Sequence, residues 1–257
     1  MESHDRVVQR EFARQSEGFR DKRTLFADRR LAEWMARSVS LAEDDTVLDV
    51  AGGAGHLDRA LAGRARQFVV VDLTDEMLAA GRDGAEEEGA ANVLFVRGDA
   101  AALPFADRSF EVVWSRFAFH HIPTIAPVLA EMRRVCRPGG RIALLDVIAV
   151  DDAVRDEHVR LEVLRDPSHT THFTQEGLTA AFADAGIEVT GAETFDYTMD
   201  TEAWLDQSLT ADPKRAEILR ALDADADGGA PTGLRPGRDD AGRRTIEQRW
   251  LMLTGRP

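Results

Sequence analysis

The segment with the most chemical potential is Asp49-Val50-Ala51-Gly52-Gly53-Ala54-Gly55-His56, between an apolar strand and the helix that follows it. Glycines here let the backbone approach a ligand closely, and the helix start offers free N–H groups. The same cluster also suits a tight strand–helix turn that binds nothing. A dinucleotide loop wants G-x-G-x-x-G, but Gly53-Ala54-Gly55-His56-Leu57-Asp58 puts Asp58 in the place of the third glycine. An aspartate there would repel a pyrophosphate. With a further acid inside the strand, at Asp49, the loop favours a ligand that carries a cation.

Histidine is the side chain best poised to exchange a proton near neutrality. Of the seven histidines, His120 and His121 follow a strand, and His169 and His172 sit in the turn RDPSHTTHF. His169 is expected to be the base where an acceptor must lose a proton, with His121 as the runner-up. The alternatives are a surface turn for His169 and a paired-histidine stretch without acid–base duty for His120 and His121. No H-x-x-x-H helix and no carboxylate at ligand spacing appears, so no metal is expected. No G-x-S-x-G elbow appears either, which removes a serine triad. Asp146, Asp151 and Asp152 read as a solvated rim.

These groups must be positioned by regular elements. Strands are predicted at 46–50, 68–71, 93–96, 110–114 and 141–148, with helices at about 55–63, 75–88 and 124–136 between them. Strand–helix units of this length imply right-handed crossovers and a parallel sheet covered on both faces. A helix at 152–164, the 166–173 turn, a helix at 174–185 and a strand at 187–195 follow. Residues 196–222 have helical spacing, 223–240 form a Gly/Pro/Asp-rich and mobile stretch, and 246–254 are the last strand. Upstream, residues 5–37 are predicted as two helices broken near Gly18.

Asp49, Gly53, Gly55, Asp72 and Asp99 together form a recognisable pattern. The chain resembles the class I S-adenosylmethionine-dependent methyltransferases, and within them the ubiquinone/menaquinone methyltransferase-like group. Asp-x-Ala-x-Gly-x-Gly matches the family's first motif, with Ala51 where glycine is commoner. GDAAALPFADRSFEVV (98–113) is similar to the group's most diagnostic stretch, and SRFAFHHIPT (115–124) and RRVCRPGGRIALLD (133–146) match the segments around the fourth and fifth strands. The resemblance is close over roughly 40–150 and looser elsewhere.

The resemblance implies a Rossmann-like, doubly wound, seven-stranded α/β sheet, mostly parallel with an antiparallel last strand, and a helical lid. Residues 1–40 would be an N-terminal helical lid, 41–195 the cofactor-binding core, 196–245 a cap insertion and 246–257 the last core strand. The implied cofactor is S-adenosyl-L-methionine, leaving S-adenosyl-L-homocysteine as product. Its site would use Asp49, Ala51, Gly52, Gly53 and Gly55, and Asp72 for both ribose hydroxyls with Leu73 beside it. Asp99 would take the adenine amino group, flanked by Ala100 and Ala101. Ser115 and Arg116 would close the fourth strand end, and Met77 would pack on the adenine or simply fill core.

Composition limits the acceptor. The 257 residues carry a formal net charge of -14, from 32 basic and 46 acidic side chains. A field of that sign repels nucleic-acid and lipid phosphates. The Asn/Asp-Pro-Pro-Tyr tetrad of amino-methylating enzymes is replaced by Ser115-Arg116-Phe117-Ala118. No apolar run is long enough to span a membrane, and no secretory signal opens the chain, so a cytoplasmic place is expected. The single cysteine, Cys136, excludes an internal disulfide. A small-molecule acceptor follows, a specialised metabolite first and a quinone ring second, with Phe12, Phe19, Phe117, Phe119, Trp204 and Trp250 available for an apolar pocket. The alternatives from other classes are a protein that binds the cofactor without methylating, and an NAD-type oxidoreductase.

Overall fold

The structure, a computed structural model, describes residues 3–16 and 29–257. Phe19 and the expected break near Gly18 lie outside the described residues. Strands β1 (Thr46–Val50), β2 (Gln67–Asp72), β3 (Val93–Arg97), β4 (Phe110–Arg116) and β5 (Cys136–Ile148) pair in parallel. Strands β6 (Glu188–Asp200) and β8 (Arg244–Arg256) extend the sheet, β8 running antiparallel to both β5 and β6. The order is β3-β2-β1-β4-β5-β8-β6, and the two-residue β7 (Gly237–Arg238) pairs with β8 off this path. The seven expected strands are therefore present, with β7 as an addition. The reversal of order at β1 and β4 makes the carboxyl edge there a crevice, the usual ligand position in such sheets.

Alternating side chains build one core on each face. Leu48, Val50, Val69, Val71, Val113 and Leu144 pack under α5 (Ala126–Val135) and α7 (Gln175–Asp184). Val47, Phe68, Val70, Val112 and Trp114 pack under α2 (Arg29–Ser38), α3 (His56–Ala60) and α4 (Asp75–Glu88). Leu31, Ala32, Met35 and Ala36 of α2 lie inside this second cluster. That helix therefore belongs to the core rather than to the lid expected over residues 1–40. Among the described residues before β1, α1 (His4–Gln15) lies over the crevice, where Gln9 Nε2 donates to the Leu73 carbonyl at 3.1 Å and Arg14 Nη2 to the Ser208 carbonyl at 2.8 Å.

Two expectations for the cap are corrected. Residues 196–200 are not helical but continue β6, because Phe195, Tyr197 and Met199 alternate, and Tyr197 stacks on Trp250 at 4.3 Å. The helices begin after them, as α8 (Thr201–Gln207), capped by Asp200 Oδ1 accepting the Ala203 N–H at 2.9 Å, and α9 (Asp212–Ala226). Within the 223–240 stretch, expected to be mobile throughout, residues 232–234 are buried and pinned, while 226–231 are exposed. Asp225 Oδ2 accepts from the Thr232 N–H and hydroxyl at 2.7 and 2.6 Å, and Leu234 is fully buried. Leu234 joins Trp204, Leu205, Ile218 and Leu222 with Leu161 of α6 (Asp152–Arg165), so the cap has a small core of its own.

Candidate active site

A cavity of about 450 Å³ lies at the carboxyl ends of β1, β2 and β4, beneath α1 and the cap. Its first wall is the loop after β1. Ala51, Gly53 and Gly55 all take left-handed backbone angles, with φ of 56°, 58° and 62°. The loop is also drawn tight, for a Cβ on Gly52 would stand 2.4 Å from Asp49 Oδ2, and one on Gly53 2.9 Å from Met77 Cε. Larger residues at 52 and 53 would collide with Asp49 and Met77. Ala51, Gly52, Gly53 and Met77 line the cavity, whereas Gly55 faces Phe95 and Val70 behind it.

Asp72 ends β2 and is oriented by backbone donors. Its Oδ2 accepts the Gly53 N–H at 2.9 Å and its Oδ1 the Thr74 N–H at 2.8 Å. Burial pushes its pKa up, and the Thr74 and Gly53 hydrogen bonds oppose that rise. Asp99, after β3, is exposed, with Oδ1 accepting the Ala101 N–H at 2.8 Å. Leu73, Ala100 and Ala101 line the cavity beside these acids. Ser115 does not, because it is buried in the sheet with its hydroxyl donated to the Val50 carbonyl at 2.8 Å.

Beneath the loop lies a buried acid pair. Burial, and then the facing Asp58 carboxyl, raise the Asp49 pKa well above the carboxylate range. Burial raises Asp58 as well. Facing carboxyls in a buried setting disfavour double ionisation. The Arg116 guanidinium, itself lowered by burial, counters both shifts. Asp49 and Arg116 reach the cavity and Asp58 does not, so the acid in the place of the third glycine is a buried support.

The other half of the cavity is a histidine cluster. His120 and His121 lie on a 3-10 turn, Phe119–His121, after β4, and His169 lies on the turn after α6. The Thr170 N–H and hydroxyl both donate to the His120 carbonyl at 2.9 Å, binding the two turns together. The ring centroids stand 4.2 Å apart for His120–His121, 4.5 Å for His120–His169 and 4.6 Å for His121–His169. His158 and His172 stack on each other at 4.1 Å behind this group. All five rings are buried.

Their partners are buried acids. Asp146, expected on a solvated rim, is 1% exposed. Its Oδ2 accepts the Phe119 N–H at 2.8 Å, and its Oδ1 lies 2.5 Å from His120 Nδ1. His121 Nδ1 lies 3.0 Å from Ser168 Oγ, which donates to Asp166 Oδ1 at 2.5 Å. Gln15 of α1 donates to the other Asp166 oxygen at 3.0 Å, and His4 Nε2 donates to the His121 carbonyl at 2.7 Å. Glu162 and Arg165 of α6 pair at 2.7 Å, and the same guanidinium lies over the Trp204 ring at 5.0 Å. Helical spacing on α6 places His158, Glu162 and Arg165 on one face, the only sequence signal that could have found them.

Burial, then the His120 charge, hold His121 down to about 3, and burial with His120 and His121 holds His169 well below the usual histidine range. The same burial and neighbouring rings disfavour the charged imidazole at both positions expected to supply a base, His169 and His121. Of the aromatics proposed for the pocket, Phe12, Phe117, Trp204 and Trp250 line it, and Phe119 is core.

Comparison with known proteins agrees with this geometry. The family described as "Methyltransferase domain" matches residues 48–144. An uncharacterized methyltransferase of Bacillus subtilis, YcgJ, is 30% identical over 84% of this chain and 85% of its own. The crystal structure of YcgJ covers 88% of this chain and 97% of its own with a TM-score of 0.80. The ubiquinone/menaquinone biosynthesis C-methyltransferase UbiE of Dinoroseobacter shibae is 42% identical, over 45% of this chain and 46% of its own. A relative that is similar over nearly its full length, on the same fold, settles the assignment: the chain belongs to the class I S-adenosylmethionine-dependent methyltransferases.

Proposed function

We propose that the cavity binds S-adenosyl-L-methionine against the β1 and β2 ends and a small organic acceptor against the histidines. The observation that carries this reading is the division of a single cavity: Asp49, Asp72 and Asp99 on one side, buried imidazoles and aromatic rings on the other. The cofactor supplies a methyl group activated by a sulfonium. Asp72, with a second lone pair on each oxygen, would accept the ribose hydroxyls, and Asp99, with Ala100 and Ala101, would meet the adenine edge. Ala51, Gly52 and Gly53 leave room for the methionine part, above Asp49 and beside Arg116. Leu73 and Met77 are the apolar contacts to the adenosine.

On the acceptor side, His169 and His121 orient the substrate together with Phe12, Phe117, Trp204 and Trp250. Displacement at an activated methyl is governed by alignment, and a walled cavity supplies it. The mixed apolar and polar lining suits a small, uncharged or cationic molecule such as a specialised metabolite, and the net charge of -14 weighs against nucleic acid. The test is incubation with methyl-labelled cofactor and a panel of phenols, amines, quinols and enols, read by mass spectrometry. A labelled small-molecule product, formed with equal S-adenosylhomocysteine, is expected. Label found only in protein or nucleic acid would overturn the small-molecule reading.

A further inference from the structure

Among the described residues, one ring nitrogen from each of His120, His121 and His169 lies within 4.8 Å of those of the other two. All three rings are buried and all three line the cavity. We propose that these histidines bind a divalent transition-metal ion, with a coordination position open towards the methyl acceptor. Three imidazoles with an open fourth position is a known arrangement for catalytic zinc.

The hydrogen bonds around the rings decide which nitrogens are available. His120 Nδ1 is committed to Asp146 Oδ1 at 2.5 Å, which leaves Nε2 with its lone pair. Ser168 spends its hydroxyl proton on Asp166, so the bond between Ser168 Oγ and His121 Nδ1 must be donated by the histidine. That fixes the His121 tautomer and again leaves Nε2 free to ligate. His169 Nδ1 is buried without a hydrogen-bond partner, while its Nε2 lies 3.8 Å from Glu162 Oε2. Arg165 Nη2 donates to that Nε2 at 3.4 Å, so ligation through Nδ1 requires this contact to break and the ring proton to move to Nε2, on the side of Glu162. His120 thus has a carboxylate hydrogen-bonded behind it and His121 has one through Ser168, while Glu162 stands 3.8 Å from His169 Nε2. Such outer partners orient metal-bound histidines and raise their basicity.

Charge and distance agree. Asp146, Glu162 and Asp166 lie among the buried histidines, with Arg165 paired to Glu162. A dication held by the three rings would meet carboxylates beyond its ligands. Ligands at about 2.0–2.1 Å in a tetrahedron stand ~3.3 Å apart, so closing from a spacing of up to 4.8 Å requires ring shifts of about an ångström. The second cluster, His158, Glu162 and His172, is a weaker candidate, because Glu162 is already bonded to Arg165 and Gln248 and neither histidine lines the cavity. A cation here would favour acceptors with an ionisable oxygen, a phenol or an enol, by holding the deprotonated form. That acceptor role rests on the methyl-transfer reading, whereas ion binding does not.

The test uses tag-free, chelator-washed full-length protein, titrated with Zn2+ by calorimetry and with Co2+ by visible absorption. One Zn2+ per chain is expected, with a Co2+ spectrum of low coordination number. His121→Ala and His169→Ala should each abolish the Co2+ signal, and Asp146→Asn should weaken Zn2+ by about ten- to a hundredfold. His158→Gln should leave both readouts unchanged. The proposal is overturned if the folded wild-type protein takes up no Zn2+, gives only an octahedral Co2+ spectrum, or binds both ions equally well in the folded His121→Ala and His169→Ala variants. The wild-type spectrum decides the matter even if a variant fails to fold. Binding of S-adenosylhomocysteine, measured separately, distinguishes failure of this proposal from failure of the cofactor reading.

Discussion

Asp72 Oδ2 accepts the backbone N–H of Gly53 at 2.9 Å, tying the end of β2 to the loop after β1. One carboxylate therefore shapes the loop and faces the cavity. Asp72→Ala should weaken S-adenosylhomocysteine binding about ten- to a hundredfold, as hydrogen bonds to a charged group are worth about 1.5–3 kcal/mol. Calorimetry on the folded variant measures it, and unchanged affinity would refute the ribose assignment.

Ala51 holds φ of 56°, where a residue with a Cβ pays about 1–2 kcal/mol. Glycine removes that strain but adds freedom to the unfolded chain, at about 0.5–1 kcal/mol. Ala51→Gly should accordingly stabilise the protein by up to about 1 kcal/mol in urea unfolding, with cofactor affinity kept. A lowered unfolding midpoint would show that the methyl of Ala51 makes contacts that outweigh its backbone strain.

The first half of the site was legible because it is local. Asp49 to Gly55, Asp72 and Asp99 fall at strand ends, and a parallel βαβ pattern brings those ends together whatever the loops do. The second half depends on long-range packing. Asp146 belongs to β5 and looked like rim, yet it serves the turn after β4, and Glu162 and Arg165 sit on a helix whose cavity face is set by the cap. Gly55 and Ser115 show the converse: both match the motif, but neither lines the cavity, Gly55 standing in the turn and Ser115 donating from β4 to the end of β1. In 196–200 the period-2 signal of Phe195, Tyr197 and Met199 was outweighed by the helical spacing that follows.

Leu234 is the anchor of a stretch whose composition reads as loose. Leu234→Ala should destabilise the protein by about 2–5 kcal/mol, the usual range for a buried leucine. Limited proteolysis should spare the wild-type chain at 232–236 and cut the variant there. Cleavage of the folded wild-type at that segment would contradict the packing.

Cys136 is 2% exposed, and burial pushes its thiol up to about 12. The raised value favours the neutral thiol in the fold, so its contribution to stability is lost as pH rises above the unfolded value of about 8.5. Native protein at pH 8 should resist iodoacetamide, and denaturant should release one reactive thiol per chain. Rapid labelling without denaturant would show that the β5 start opens readily.

The central claim is that the crevice at β1, β2 and β4 is built for an adenosylated sulfonium cofactor rather than a dinucleotide. Calorimetric titration of the wild-type protein with S-adenosylhomocysteine and, separately, with NAD tests it most directly. Saturable one-to-one binding of S-adenosylhomocysteine, with no measurable heat from NAD, is the predicted result. Binding of NAD, or no binding of S-adenosylhomocysteine at millimolar concentration, would contradict it.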